Sequence, residues 1–379
     1  MKHKITSILL SLALCLGLAT PVFAKTGDTP PTDFTTGTDG NGQVIITTPG
    51  DPGPVTPPDP VDPNPPSSGG DYYPDTPSTP SNTTTTTTTN PDGSTTTTVT
   101  DKTTGTVTET TKNTNGSTTA VETKTDGTVT TTETTVDKVV VTTVDAPDKD
   151  VTATVTIPQS VGTATVTIPA SVDYGMVAVD AKTGEVVKLS VPTEGGMMVK
   201  LDGSTELLLV HNAKEFTDTT DHWAKDAIDF ASAHELFGGT DTTKALFSPD
   251  APMTRAMLMT VLARFDGADT TSGSVWYEKG MEWAKANGVS NGTNPDGSIT
   301  REQLATMLWR YAGSPAAEGS LDSFTDADKV SDYAVEAMRW VVQTGIISGM
   351  GDGVLSPKSN ATRAQVATIM MRYVQNLTK

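Results

Sequence analysis

Two patterns of hydrophobic and polar positions divide the chain near Glu215. Before this residue, apolar side chains and threonines alternate with a period of two, most clearly in Val151–Ile157 and Thr163–Ile168. After it, apolar residues recur at the i, i+3, i+4 and i+7 spacing of one helix face, for example between Leu258 and Phe265. The first pattern predicts short β-strands, and the second predicts amphipathic helices.

Evenly spaced turn signals separate the predicted strands of residues 82–136. Asp92-Gly93, Asn115-Gly116 and Asp126-Gly127 alternate with segments of threonine and valine. Such pairs supply the positive φ angles of tight hairpin turns, and threonine suits a pleated sheet. Few large apolar residues are available for a core, so this tract is predicted to be a thin β-meander or a disordered, O-glycosylated stalk. Residues 137–215 regain apolar content and are predicted to form a small antiparallel β domain.

The N-terminal residues indicate export. A short basic start, the apolar run Ile5–Leu18 and the small residues around Ala24 predict a cleaved signal peptide at 1–24 and no membrane association after cleavage. Residues 25–81 are rich in proline, threonine and glycine and are predicted to be a disordered linker. Cleavage would remove Cys15, the only cysteine, and with it any disulfide or thiolate chemistry.

Charge and composition exclude several classes of partner. The formal net charge of −19 opposes binding to nucleic acid phosphates and anionic lipids. His211, His222 and His234 are not at metal-ligand spacing, and residues 137–215 contain no evident acid–base pair. We therefore predict a non-enzymatic protein with no cofactor and no metal, whose anionic ligands would need a local cluster of positive groups.

After Glu215 one block of sequence occurs three times. The units are predicted at 216–267, at 270–313 in degenerate form, and at 321–376, each as two helices joined by a loop of varying length. An aromatic residue opens each unit, and a Thr-Arg pair starts each second helix. The aromatic residues are Trp223, Trp276 and Tyr333, and the pairs are Thr254-Arg255, Thr300-Arg301 and Thr362-Arg363.

The Thr-Arg pairs suggest a binding chemistry. Threonine is a favourable N-cap, and Gln303 and Gln365 complete predicted capping boxes in the second and third units. An arginine in the first turn lies beside unpaired N–H groups and the positive end of the helix dipole, which together can hold a carboxylate or phosphate. A single copy would more often be an ordinary helix start with a solvated arginine, but three copies in register favour ligand binding. The opening aromatics fit either a core or a sugar platform.

These motifs resemble the S-layer homology (SLH) repeat. The resemblance rests on Phe216-Thr-Asp218 through Met253-Thr-Arg255 and on Phe324-Thr-Asp326 through Ala361-Thr-Arg363. It implies a three-pronged helical spindle whose grooves bind secondary cell wall polysaccharide, often through a pyruvylated sugar. The family's motif arginine corresponds to Arg255, Arg301 and Arg363, and its opening aspartate to Asp218 and Asp326. The second unit lacks the opening Phe-x-Asp and has a shortened loop after Gly292.

The predicted fold class is therefore a multi-domain chain. An all-α triplicated helix–loop–helix region follows a small all-β domain and a low-complexity Thr/Pro-rich arm. The predicted function is non-covalent anchoring of a secreted protein to the cell wall or S-layer through a peptidoglycan-linked anionic polysaccharide. The alternatives are a wall-anchored enzyme or carbohydrate-binding module with its activity in residues 137–215, and an S-layer lattice component. The sequence does not identify a partner for the distal arm.

Overall fold

The computed structural model of the protein describes residues 35–38, 44–47 and 81–379. The predicted signal peptide at 1–24 and most of the predicted linker at 25–81 lie outside the described residues. Within that linker, β1 (Thr35–Thr38) and β2 (Val44–Thr47) pair in antiparallel fashion. Residues 81–379 belong to a separate compact unit.

Nine strands of this unit form one antiparallel sheet. They are β3 (Thr83–Thr89), β4 (Thr95–Asp101), β5 (Val107–Lys112), β6 (Thr118–Thr123), β7 (Val129–Thr134), β8 (Val140–Asp145), β9 (Val151–Thr156), β11 (Met176–Asp180) and β14 (Thr205–His211). Their order in the sheet is β11-β14-β9-β8-β7-β6-β5-β4-β3, so from β3 to β9 each strand pairs with the next one along the chain. The threonine tract is thus a meander that continues into the apolar segment.

Polar turn residues set the register of the meander. Gly93, Gly105, Gly116 and Gly127 all have positive φ, between 72° and 88°. The side chain of the residue before a glycine also fixes the turn. In the turn at Gly116, for example, the Asn115 carboxamide oxygen accepts the Ser117 backbone N–H at 2.9 Å. Tight turns at regular spacing therefore align successive strands without help from a hydrophobic core.

Among the strands, a core forms where a second sheet covers the first. β10 (Ala164–Ile168), β13 (Gly196–Leu201) and β12 (Ser190–Thr193) form a three-stranded antiparallel sheet. Apolar side chains of the two sheets are buried together, among them Val155, Ile168, Met197, Leu207 and Leu209. No residue of the five strands from β3 to β7 is buried, so that part of the nine-stranded sheet is a single layer.

The predicted fold class is wrong in two respects, and the first concerns the β region. No small all-β domain begins at residue 137, because β7 pairs with β8 over Thr134↔Val140 and Val129↔Asp145, and the ladder runs on without interruption. The change of composition that suggested a boundary alters the side chains, whereas the pairing of strands depends on backbone groups.

Six helices follow the strands. They are α1 (Lys225–Ala233), α2 (Arg255–Phe265), α3 (Glu278–Ala286), α4 (Arg301–Tyr311), α5 (Val335–Gln343) and α6 (Arg363–Thr378). The predicted apolar faces of α2, α4 and α6 are confirmed as buried. Trp223, the aromatic residue that opens the first unit, precedes α1 and is 65% exposed, so it is not part of the core.

The second error in the fold class is that the C-terminal region is not purely α-helical. Three isolated β-bridges join the segments before α2, α4 and α6: Thr254↔Ser298, Thr300↔Asn360 and Pro252↔Thr362. Short 3-10 helices lie at Ala327–Lys329 and Asp332–Ala334. These extended segments bring the starts of the three second helices together. Sequence periodicity misses such segments because each bridge joins single residues from different units.

The helical core contains one aromatic residue from each second helix. Phe265, Tyr311 and Tyr373 form a trio with ring centroids 5.9 to 6.2 Å apart. The β region joins the helices next to this core: Lys200 Nζ donates to the Leu377 carbonyl at 2.7 Å, near the C-terminal end of α6. No helix in residues 81–379 is both long and apolar enough to cross a membrane.

Candidate functional site

The three second helices share one N-cap hydrogen bond. The Thr254 hydroxyl accepts the Met257 N–H at 3.2 Å, and the predicted capping boxes of Thr300 with Gln303 and of Thr362 with Gln365 are confirmed. The threonine hydroxyl satisfies one backbone donor at each helix start, and Gln303 and Gln365 also accept the N–H of the N-cap threonine.

The other first-turn donors also have protein partners. In α2, the N–H groups of Arg255 and Ala256 donate to the carbonyls of Gly297 and Pro295 at 2.9 and 2.8 Å. The same two bonds recur at α4 with Ser359 and Pro357, and at α6 with Ala251 and Pro249. The helix-start donors that the sequence offers to an anion are therefore bonded to the neighbouring repeat.

The three repeat arginines form a closed ring of contacts. Arg255 of the first unit donates through Nε to the Thr293 carbonyl at 3.0 Å, in the loop of the second unit. Arg301 of the second unit donates to the carbonyls of Leu355 and Ser348 in the third unit at 2.9 and 3.0 Å.

The third contact closes the ring. Arg363 donates to the carbonyls of Phe247 and Gly238 in the first unit, both at 2.8 Å. Each arginine thus holds the loop of the next unit, and the last holds the first.

Burial separates these arginines into two kinds. Arg301 and Arg363 are only 3% and 6% exposed, whereas Arg255 is half-buried. Desolvation lowers the pKa of the Arg363 guanidinium to about 10, opposed by the charge of Asp218, and it lowers the pKa of Arg301, opposed by Asp326. The Arg363 guanidinium also lies 4.5 Å from the Phe247 ring centroid. Two of the three predicted anion contacts are thus packed within the protein.

The opening aspartates hold the same loops. Asp218 accepts the backbone N–H groups of Phe247 and Ser248 at 2.9 and 2.7 Å. Asp326 accepts those of Leu355 and Ser356, both at 2.8 Å, and these bonds outweigh desolvation and lower its pKa. Both aspartates therefore fix the loops whose carbonyls accept hydrogen bonds from Arg363 and Arg301.

A groove opens beside Arg255. It has a volume of about 590 Å³ and is lined by Arg255, Val289, Ser290, Asn291, Thr293, Asn294, Ser298, Gln303, Thr306, Met307, Arg310 and Tyr333. The second unit passes from Gly292 to Pro295 in a short loop, whereas the first and third units have longer loops at this place. The lining has two arginines and no carboxylate, although the chain has a net charge of −19.

A buried carboxylate holds the groove's aromatic residue. Glu302 is 3% exposed and accepts the Tyr333 hydroxyl at 3.0 Å, the Lys358 ammonium at 2.8 Å and the N–H and hydroxyl of Ser331 at 3.0 and 2.9 Å. Burial, followed by the bond to Glu302, raises the pKa of Tyr333 to about 12.

Sequence reasoning missed Glu302, which follows a motif arginine where the other two units have alanine. That difference, visible at Ala256 and Ala364, is the signal that could have identified it.

The other two opening aromatics lie apart from this groove. Trp223 and Trp276 are 65% and 55% exposed, and neither lines it. Tyr333, 52% exposed, is the predicted aromatic that the structure brings together with Arg255. In residues 81–379 and the two short strands before them, no group of three or more His, Cys, Asp or Glu side chains is placed to hold a metal ion.

Comparison with known proteins agrees with this architecture. The family described as the S-layer homology domain matches residues 215–256 and 323–367. The chain is 28% identical over 176 residues to an amylopullulanase of Thermoanaerobacterium thermosulfurigenes and 31% identical over 174 residues to the exoglucanase XynX of Acetivibrio thermocellus. Each match spans 41% of this chain but only 9% and 16% of the two relatives. Residues 215–256 and 323–367 are therefore S-layer homology domains, and such domains indicate anchoring at the cell surface.

Proposed function

We propose that the helical region anchors the protein by binding an anionic cell wall polysaccharide in the Arg255 groove. The observation that carries this proposal is the charge of the lining: two arginines and no carboxylate, in a chain of net charge −19. An acidic surface repels a polyanion in general, so a local cationic groove is needed to hold one. The resemblance to SLH repeats supports the same class of ligand, including a pyruvylated sugar.

The groove has the functional groups that such a ligand requires. The Arg255 guanidinium uses Nε and Nη2 for Thr293 and Ser290, and its half-buried position leaves it accessible to an anionic group. The amides of Asn291, Asn294 and Gln303 also line the groove and suit sugar hydroxyls. Tyr333, held by Glu302, offers an aromatic face to a sugar ring.

The nine-stranded sheet would then act as the spacer of the anchored protein. Strands β3 to β7 form a single layer with no buried residue. This shape suits a spacer that extends away from the anchor rather than a domain that encloses a substrate. The predicted absence of catalysis stays a prediction, because the similarity to the two relatives covers only the SLH region.

The test is a pull-down of the full chain on purified cell wall sacculi, with the polysaccharide retained or chemically stripped. We expect stripping to abolish binding and Arg255→Gln to weaken it about tenfold or more, since a charged hydrogen bond is lost. Arg339→Gln is the matched control, because Arg339 is paired with Glu336 on the exposed side of α5 and does not line the groove.

Thermal unfolding of both variants verifies that the fold is retained. Binding that is insensitive to stripping, or reduced equally by the two variants, would refute the proposal.

A further inference from the structure

The two edges of the nine-stranded sheet differ. At one edge, residues that follow β11 fold back over it: Val187 N–H donates to the Ala178 carbonyl at 2.8 Å and Asp180 N–H to the Glu185 carbonyl at 2.9 Å. At the other edge is β3, seven consecutive threonines that are all exposed. Among residues 81–379, β3 pairs with β4 and with no other strand.

The hydrogen bonds at the two ends of β3 show which of its backbone groups point outward. Asn82 accepts the Lys102 N–H at 2.8 Å, and Asn90 donates to the Ser94 carbonyl at 2.9 Å, both toward the β4 side. Antiparallel pairing alternates along a strand, so even-numbered residues between them also bond to β4. Thr83, Thr85, Thr87 and Thr89 therefore present their N–H and C=O groups to the open edge.

This edge lacks the usual protection against pairing. Exposed edge strands commonly carry lysine, proline, a bulge or an inward charge, which discourage association with another chain. β3 contains none of these, whereas β4, β5, β6 and β7 each include at least one charged residue. Two copies of β3 can thus approach without local charge repulsion, despite the net charge of −19.

We propose that β3 is a homodimerisation edge, at which two copies of the chain join their sheets in antiparallel fashion. In the register that places Thr86 of one chain opposite Thr86 of the other, Thr83 of each chain lies opposite Thr89 of the other chain. Thr85 of each chain likewise lies opposite Thr87 of the other. All outward N–H and C=O groups are then satisfied. Cross-strand threonine hydroxyl contacts already occur inside the sheet, as between Thr96 and Thr111 at 2.9 Å, and the same contacts become available across the dimer.

The partner is a second copy, and the assembly is closed. A two-fold axis through Thr86 uses the same edge on both chains, so the interface is isologous. The opposite edge is covered by residues 185–187, which prevents further addition. The result is one sheet shared by two chains, with a helical region at each end, rather than a fibre. This inference is independent of the proposed polysaccharide groove.

Sedimentation of the full chain tests the interface. We expect a concentration-dependent monomer–dimer equilibrium whose dissociation constant rises about tenfold or more in Thr85→Lys/Thr87→Lys, since charges on an edge strand oppose pairing. The control is Thr108→Lys/Thr110→Lys, which adds the same charge within β5, away from the edge. A monomeric wild-type chain would overturn the proposal, including the case in which residues 25–80 of the same chain cover β3. A dimer equally weakened by both variants would also overturn it.

Cysteine cross-linking tests the register in a Cys15→Ser background. Thr86→Cys is expected to form disulfide-linked dimers, because facing residues in such a pair lie about 4.5 Å apart at Cα. Thr84→Cys should not, since two residue-84 positions would be about 13 Å apart along the strand. A mixture of Thr84→Cys and Thr88→Cys should cross-link again. Dimers that cross-link at Thr84 alone, or at none of these positions, would refute the register and the interface.

Discussion

The helical region and the threonine meander are both built from repeats, but they are stabilised in opposite ways. In the helical region the three units share one core, and every unit holds a loop of another through an arginine. From β3 to β7 each strand pairs only with its neighbours, and no residue of these strands is buried. A closed ring concentrates its stability in a few buried contacts, whereas an open ladder distributes it over many backbone bonds and turns.

The largest predicted effect is the loss of one arginine from the ring. Arg363→Ala is expected to destabilise the helical region by about 3–5 kcal/mol, because the buried Phe247 carbonyl and the part-buried Gly238 carbonyl lose their donor and the packing on Phe247 is lost. All five tryptophans lie in this region, so urea unfolding followed by tryptophan fluorescence reports on it selectively. Arg339→Ala should cost less than about 0.5 kcal/mol. A loss below about 1 kcal/mol in Arg363→Ala would contradict the ring.

A core substitution should separate the two parts of the nine-stranded sheet. Leu207→Ala, where the second sheet covers the first, is expected to cost about 2–4 kcal/mol. Val121→Ala in β6 should cost less than about 1 kcal/mol, because Val121 is only half-buried in the single layer. Hydrogen exchange of the strand amides measures both. Equal losses at the two sites would mean that the meander has a core of its own.

Acid should weaken the contact between the β region and the first repeat. His234 is fully buried, stacks on Phe230 at 3.9 Å and contacts the Ser190 carbonyl at 2.8 Å. Burial lowers its pKa from 6.5 to about 4, so the unfolded chain binds a proton between these pH values and the native chain does not. This group's contribution to stability is complete above pH 6.5, falls on acidification toward pH 4, and amounts to about 3 kcal/mol.

Urea unfolding at pH 7.5 and pH 4.5 measures this loss. His234→Gln, which cannot titrate, should show a smaller difference between the two pH values. The same difference in both proteins would assign the acid sensitivity to other groups.

The smallest effect is expected at a single turn of the ladder. Gly116→Ala should cost about 1 kcal/mol of stability, because Gly116 has a φ of 88°, which alanine adopts less readily. An added Cβ would meet no atom within 4 Å, so this cost comes from the backbone conformation alone. Gly203→Ala is the matched control: its φ is not positive and its surroundings are also open, so the change should be neutral. Hydrogen exchange should show the loss confined to β5 and β6. Loss of protection in every strand would instead make the meander one cooperative unit.

Sequence reasoning succeeded where the determinants are local. The capping boxes at Thr300 and Thr362 and the buried faces of α2, α4 and α6 follow from residues within one helix. The acceptors of the arginines could not be predicted in the same way. The sequence of a Thr-Arg helix start is the same whether its guanidinium binds a ligand or, as at Arg363, donates to a carbonyl 116 residues earlier in the chain.

The small all-β domain in the predicted fold class was wrong for a similar reason. Composition changes at residue 137, but β7 and β8 pair through backbone groups that every residue type provides. The groove depends on a non-local feature too. The sequence showed the short loop of the second unit, but only the structure shows that this loop borders an opening next to Arg255.

The ring of arginines has a consequence for how this region can evolve. Most tandem arrays grow or shrink by whole units, since their end units have faces that accept or lose a neighbour. Here no unit is terminal, because Arg363 of the last unit holds the loop of the first. The arginine of a duplicated unit would have no loop to bind, because each loop is already bound by an arginine. Deletion of a unit would leave one arginine without a loop and one loop without an arginine. Substitution can diversify the three units, as the short loop of the second shows, but their number is fixed by the closure of the ring.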